Sequence, residues 1–374
     1  MKKVIFDVDG VLLSEKRYFD VSALTLWEWY NSPLYMGLEQ DEIYSDLPEE
    51  KIDEVRAYYW KNDEILQWLK SHGINDNWDM VHAHLFVTLW LMLEDYTART
   101  GELLSLSFDT IQDVRLAGKT LKNIALPTAE QVLEILNYYV PVDVGKDAVY
   151  EYLEKGANTT EVGRKIAHYA TLGSPLWHLH QDCFQAWYFG DDLYQKIYER
   201  TPVAAGKSGF LSREEPLGTV EGILHMFQEL KKRGYDIAIA TGRSYWETRI
   251  PFETYGWLDE FDPLYISTST DVKEAGELLG LSLQKPHPFA YFLGAFGHYP
   301  EQYRQYVENP DAFKKGTYYV VGDSLSDVWG AQKMGAIMIG TLTGLDGEAA
   351  RAMFEREKTE YILDSVEQIL DILL

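Results

Sequence analysis

The stretch Lys2-Lys3-Val4-Ile5-Phe6-Asp7-Val8-Asp9-Gly10-Val11 constrains this chain more than any other. Val4-Ile5-Phe6 reads as a buried strand, and a strand that stops in two carboxylates and a glycine carries charge to its C-terminal tip. In open α/β sheets that tip is where ligands bind. Asp7 and Asp9 are two residues apart and would share one side of a continuing strand. Close carboxylates repel unless a cation lies between them, so the pair reads as a Mg²⁺ site. A strand closing in a plain Asp-Gly turn is the competing reading.

The far end of the chain favours the metal. Lys315 to Asp327 is a second β-rich run, through Tyr318-Tyr-Val-Val321, that stops at Gly322-Asp323 with Asp327 four residues on. The Asp323 and Asp327 pair falls where strand gives way to helix, so both acids can face one point above a sheet. Between the two acidic tips lies Asp236-Ile-Ala-Ile-Ala-Thr241-Gly242-Arg243, a third buried strand ending in a hydroxyl and an open backbone. Lys285 follows in Leu283-Gln-Lys-Pro-His-Pro288, where Pro286 would hold the preceding backbone extended.

In this order the four segments resemble the haloacid dehalogenase-like (HAD) hydrolase superfamily, with its hhhDxDG strand, hhhhT/S strand, lysine and GDxxxD strand end. Val11 departs from the Thr that many family phosphatases carry there, which bears on the subgroup. The resemblance covers 1–18 and 216–374 and implies an α/β fold: a doubly wound, parallel-sheet, Rossmann-like core. Residues 19–215 would then be a large helical cap, of the kind that closes over the catalytic tips and reads the leaving group.

The residues themselves support that division. Apolar positions at three-and-four spacing predict helices over Val21–Tyr30, Pro48–Lys70, Asp76–Arg99, Thr128–Tyr139, Lys146–Lys155, Thr159–Ala170 and Ser174–Tyr198, with no convincing strand among them. Strand and helix alternate after Pro216: a helix over Thr219–Arg233, the Thr241 strand, then Ser244–Tyr255, Leu264–Ser267, Pro288–Phe296 and Tyr318–Val321. The gap between Thr241 and Lys285 has no room for a second large cap. Ala336–Ile339 reads as a further strand, and the run from Tyr361 as a closing helix.

A net charge of −25 repels nucleic-acid phosphates and anionic membrane surfaces, which argues against both as partners. The apolar run Leu85–Leu93 is too short to span a bilayer. The lone Cys183 cannot form an internal disulfide and no apolar leader precedes Asp7, so a cytoplasmic setting is expected. Nothing in the sequence sets an oligomeric state.

What the resemblance implies for the site is specific. Asp7 would be the nucleophile that forms an aspartyl-phosphate and would also bind Mg²⁺; Asp9 would be the general acid and then the base, its backbone carbonyl facing the metal. Asp323 would complete the metal's protein ligands, with Asp327 acting on the metal directly or through water. Thr241 and the Gly242 amide would hold the transferring phosphoryl group, with Lys285 offsetting its charge. The expected activity is a Mg²⁺-dependent phosphatase acting on a small phosphorylated metabolite. A phosphomutase of the same family, a phosphonate-cleaving enzyme with a cap amine, or a catalytically silent binding protein are the alternatives. Asp9 argues against dehalogenation, because a halide leaves without a proton.

Other candidates are weaker. His82 and His84, like His178 and His180, are two apart on predicted helices and so turned about 200° from each other, which prevents either pair from chelating one metal. Gly206-Lys207-Ser208 echoes a P-loop ending, but Thr201 stands where its first glycine belongs. Lys207 remains a candidate substrate contact, since its loop returns from the helical region.

Overall fold

The computed structural model describes residues 2–38, 46–74, 76–285, 287–313 and 315–373. Pro286 lies outside the described residues. The chain divides into two compact units, Met1–Arg17 with Leu211–Leu374, and Tyr18–Phe210.

In the first unit six parallel strands form one sheet: β1 (Lys2–Phe6), β2 (Asp236–Ala240), β3 (Ile266–Ser267), β4 (Thr317–Gly322), β5 (Ile337–Thr341) and β6 (Tyr361–Leu363), in the order β3-β2-β1-β4-β5-β6. The run from Tyr361 therefore corrects the expectation of a closing helix: its first three residues pair with β5, and only Ile369–Ile372 is helical. Tyr361-Ile-Leu is too short for its period to tell strand from helix.

Alternate residues of each strand enter opposite layers. Val4, Phe6, Ile237, Ile239, Val321 and Ile339 pack with the helix Val220–Lys232 on one face. Ile5, Ala238, Ala240, Val320 and Met338 pack with the helices Phe289–Phe296 and Leu325–Met334 on the other. Burial on both faces explains why the strands read as continuous apolar runs. Lys3 is a buried charge among them: its ammonium donates to the Ala295 carbonyl at 3.0 Å and lies 3.2 Å from the Tyr265 ring centre, and burial brings its pKa down to about 8.

β1 has β2 on one side and β4 on the other, so the chain order reverses direction across the sheet at β1. In open α/β sheets that reversal leaves a crevice above the C-terminal strand ends. The connections out of and back into the unit lie side by side, with Ser14 N donating to Glu215 O at 2.8 Å and Leu217 N to Leu12 O at 2.9 Å.

Among its described residues the second unit is helical. The expected helix over Pro48–Lys70 is two, Glu49–Tyr59 and Glu64–Ser71, because Lys61, Asn62 and Asp63 all take positive φ. Within Thr159–Ala170 only Gly163–Ile166 is α-helical, followed by a 3₁₀ turn, and a helix over Ile111–Leu121 escaped the periodicity reading. Helix Pro175–Tyr198 kinks at Gly190, whose φ is 74°; a Cβ there would stand 2.6 Å from Gly209 N. That close approach seats the returning loop, with Asp191 N donating to Lys207 O and Phe210 N to Tyr188 O, each at 2.9 Å.

Two histidines that neighbour others in sequence pair across this unit instead. His82 Nε2–H donates to the Ala170 carbonyl at 3.1 Å, which makes its Nδ1 the acceptor for His180 Nδ1–H at 2.9 Å. Both rings are buried, and His84 is buried against the Tyr59 carbonyl. Burial lowers His82 and His84 to about 4 and His180 further below its ordinary value.

Below pH 6.5 the unfolded histidines take up protons that the folded ones refuse, so stability falls with pH through the window from 6.5 to about 4. Each histidine costs up to about 1.4 kcal/mol per pH unit there. Asp79, raised by burial to about 6, works in the opposite sense and offsets part of the loss. The thermal midpoint of His180→Asn is therefore expected to fall less steeply than that of the wild type between pH 7.5 and 5.5. Parallel pH slopes for the two proteins would contradict this account.

Candidate active site

The carboxylates at the strand tips meet. Asp7 follows β1 directly and is fixed by its own amide, which donates to Val321 O at 2.9 Å. Asp323 follows β4, the neighbouring strand, and Asp327 sits in the first turn of the helix Leu325–Met334. Ligand oxygens of Asp7, Asp323 and Asp327 all lie within 4.8 Å of one another. Three hard oxygen donors at one point suit Mg²⁺ or a similar cation.

Asp327 serves both the site and its helix. Its Oδ2 accepts from the Ser324 amide at 3.1 Å and the Ser324 hydroxyl at 2.6 Å, closing a capping box. Its Oδ1 accepts from the Tyr291 hydroxyl at 2.5 Å and Lys285 Nζ at 3.1 Å. Helix capping, which competes with a site role when only the sequence is read, occupies one oxygen and orients the other.

Lys285 ties the acids together, donating also to Asp7 Oδ2 at 2.8 Å. Burial pushes Asp7 up to about 7 against the pull of Lys285, with Asp327 and Asp9 adding to the rise. Burial opposes ionisation of Asp327 as well, yet Lys285, Ser324 and Tyr291 outweigh it and hold that carboxyl below the ordinary range. The lysine, surrounded by these two acids, stays charged despite its burial.

Asp323 lies close against two glycines. A Cβ on Gly10 would fall 2.1 Å from Asp323 Oδ2, and one on Gly344 would fall 1.9 Å from it. Gly10 also takes φ 70°, while its carbonyl accepts from Thr343 Oγ1 at 2.6 Å. The Asp-Gly turn and the acidic cluster are thus one device: the turn is what gives Asp323 its room. The cluster fits a divalent cation by donor chemistry and by this reserved space.

Thr241 and Gly242 follow β2, one strand from Asp7. Thr241 is buried, its hydroxyl accepting from Arg243 N at 3.1 Å, whereas Gly242 is exposed and has open space where a Cβ would go. Asp9 is turned elsewhere. Its Oδ1 accepts from Arg243 Nε at 2.9 Å and Nη2 at 2.6 Å, and its carboxylate is not in the three-acid cluster. Lys207, the substrate candidate in the helical unit, is buried and donates to Glu28 Oε1 at 3.0 Å and Ala204 O at 2.6 Å, a structural pairing within that unit.

A family model for haloacid dehalogenase-like hydrolases matches residues 1–335. The chain belongs to that family. The chain is similar to a solved structure determined as a structural-genomics target, which is 34% identical, covers 100% of this chain and 98% of its own, and superposes with a TM-score of 0.85. Among curated proteins the chain is similar to pyrophosphatase PpaX of Bacillus mycoides (strain KBAB4), 29% identical over 160 residues. That match spans 43% of this chain and 62% of the relative, less than two thirds of its length. A HAD family hydrolase of Deinococcus radiodurans R1 is 15% identical with a TM-score of 0.39, covering 100% of this chain and 95% of that one.

Sequence reasoning missed Arg243, Glu214 and Tyr291. Arg243 adjoins the Thr-Gly pair, but nothing local names its partners. Glu214 lies just before Pro216 with nothing in its surroundings to single it out, and Tyr291 lies in the apolar run Pro288–Phe296. No helix among the described residues is long and apolar enough to cross a membrane.

Gly10→Ala forces Asp323 aside and strains the turn. Mn²⁺ affinity measured by calorimetry is expected to fall by about tenfold or more, the scale on which disturbed ligand support acts, while circular dichroism shows the fold retained. Unchanged affinity would show that Asp323 does not hold the cation.

Proposed function

We propose that this HAD hydrolase is a Mg²⁺-dependent phosphomonoesterase acting on a small phosphorylated metabolite through an aspartyl-phosphate. The observation that carries the reading is the buried Asp7 carboxylate at the tip of β1, bonded to Lys285 and grouped with Asp323 and Asp327.

A phosphate ester resists attack because its own oxygens repel nucleophiles, so a site must hold the attacker in line and neutralise those oxygens. Asp7 attacks phosphorus, the ester oxygen leaves, and the phosphoryl group is transferred to the carboxylate. Asp9 gives the leaving oxygen its proton and then takes one from the water that cleaves the aspartyl-phosphate. Lys285, Thr241 and the Gly242 amide hold the phosphoryl oxygens. Asp7, Asp323, Asp327 and the Asp9 carbonyl would hold Mg²⁺, which when bound supplies further charge neutralisation.

The likeness to a pyrophosphatase adds inorganic pyrophosphate to the substrates worth assaying. Phosphate release that tracks substrate loss distinguishes hydrolysis from a mutase, which returns the phosphoryl group to the sugar. Loss of all turnover on chelation with EDTA, restored by Mg²⁺, is the expected cation dependence.

The two aspartates separate by mutation. Asp7→Asn is nearly isosteric and is expected to abolish both turnover and any base-labile phosphoenzyme while the protein stays folded. Asp9→Asn keeps the attacker, so kcat/KM should fall by about 10² or more for an alkyl phosphate and far less for 4-nitrophenyl phosphate, whose leaving group needs little protonation. A phosphoenzyme that persists in Asp7→Asn, or equal losses on both esters in Asp9→Asn, would overturn the assignment.

A further inference from the structure

We propose that Arg243 is a positioning residue for Asp9: a buried guanidinium that fixes the proton-transfer carboxylate by one oxygen and leaves the other for the substrate. The inference rests on the phosphomonoesterase reading above and adds a residue to it.

The grip is side-on. Both Nε and Nη2 of Arg243 donate to Asp9 Oδ1, at 2.9 and 2.6 Å, so Oδ2 is outside these two bonds. The Asp9 side chain keeps 28% of its surface open, whereas the Arg243 side chain has none exposed. One oxygen is thus tied to the protein interior and the carboxylate as a whole still faces outward. A carboxylate that must deliver a proton to one departing oxygen, and later collect one from water, needs a fixed rotamer with one oxygen at liberty.

The guanidinium is itself anchored on its remaining sides. Nη2 also donates to Glu214 Oε2 at 3.0 Å, and Glu214 is wholly buried at that carboxylate. Nη1 donates to the Glu247 carbonyl at 3.2 Å. The backbone is held too, Arg243 N by Thr241 Oγ1 at 3.1 Å and Arg243 O by the Ser269 amide at 2.9 Å. An arginine restrained at this many points acts as a fixed support, and Asp9, on the short turn after β1, is the member whose position it sets. Because its backbone amide bonds Thr241, the support also ties the proton-transfer residue to the phosphate-side strand end. A lysine cannot reproduce this, because a single ammonium lacks the planar fork that reaches Asp9, Glu214 and Glu247 O together.

The test compares kcat/KM, which reports steps up to loss of the first product, for glycerol phosphate and 4-nitrophenyl phosphate with Mg²⁺. In Arg243→Lys the charge remains but the fork is lost. The alkyl ester is expected to lose about tenfold or more, part of the roughly 10²–10⁴-fold that general acid catalysis provides, and the aryl ester under about threefold on the same ground. Since removing Arg243 can leave Glu214 buried and uncompensated, the pair Arg243→Gln with Glu214→Gln serves where the single variant folds poorly. Aryl turnover in each variant is the internal control for folding.

Asp9→Asn supplies the second readout. If Arg243 acts through Asp9, adding Arg243→Lys to Asp9→Asn costs the alkyl ester little more, a strongly non-additive cycle. Equal loss on both esters, or additive losses in the cycle, would overturn the proposal while the hydrolase reading stands. A wild-type enzyme that turns over neither ester nor pyrophosphate would overturn that reading, and this inference with it.

Discussion

The site depends on one ammonium group. Lys285 lies between Asp7 and Asp327, two carboxylates buried at the ends of adjacent structural elements. Burying like charges together is unfavourable unless an opposite charge with good hydrogen bonds offsets it, and removing one partner of such a group is far costlier than never having formed it. Lys285, Ser324 and Tyr291 keep Asp327 ionised, while Asp7, with less support against its burial, is drawn up towards neutrality. Asp7 at the tip of β1 and Asp327 on the helix after β4 therefore meet above the sheet around a cation that a distant loop returns to them.

A second cation divides the acids further. Arg243 takes Asp9 and Glu214, while Lys285 takes Asp7 and Asp327, so the two aspartates of the first strand end are held by different partners from different directions. This separation matters chemically. Two carboxylates two residues apart could otherwise share one proton or one cation and blur their roles, whereas here each has its own environment. Glycines make the arrangement possible: Gly10 and Gly344 clear a space for Asp323, and Gly330 lets Tyr291 reach Asp327, since a Cβ there would fall 2.2 Å from the tyrosine ring.

The sheet supplies the frame on which these contacts are measured. Its strands are largely apolar on both faces, and the acids of the candidate site collect where the chain leaves the sheet. The parallel register of β1 with β4, Phe6 opposite Val321, places Asp7 and Asp323 as near neighbours. In the helical unit the same rule is met differently. Its buried polar groups, His82 with His180 and Lys207 with Glu28, answer each other inside the unit.

The amino-acid sequence determined the strands that carry chemistry, because an apolar run ending in charge has one sensible place in an α/β sheet. It determined the order of Asp7, Thr241, Lys285 and Asp323, and the helical character of the stretch between them. Short elements were not legible: three residues at Tyr361 carry no period, and the break at Lys61–Asp63 rests on backbone torsions that no side-chain pattern announces. What only the tertiary structure decided is pairing. Arg243 meets Asp9 across 234 positions of sequence, Lys285 meets Asp7 across 278, and His82 meets His180 across 98. Residue type sets what a side chain can bond to, but which partner it meets is fixed only when the sheet closes and brings remote segments within about 3 Å, the range of a hydrogen bond.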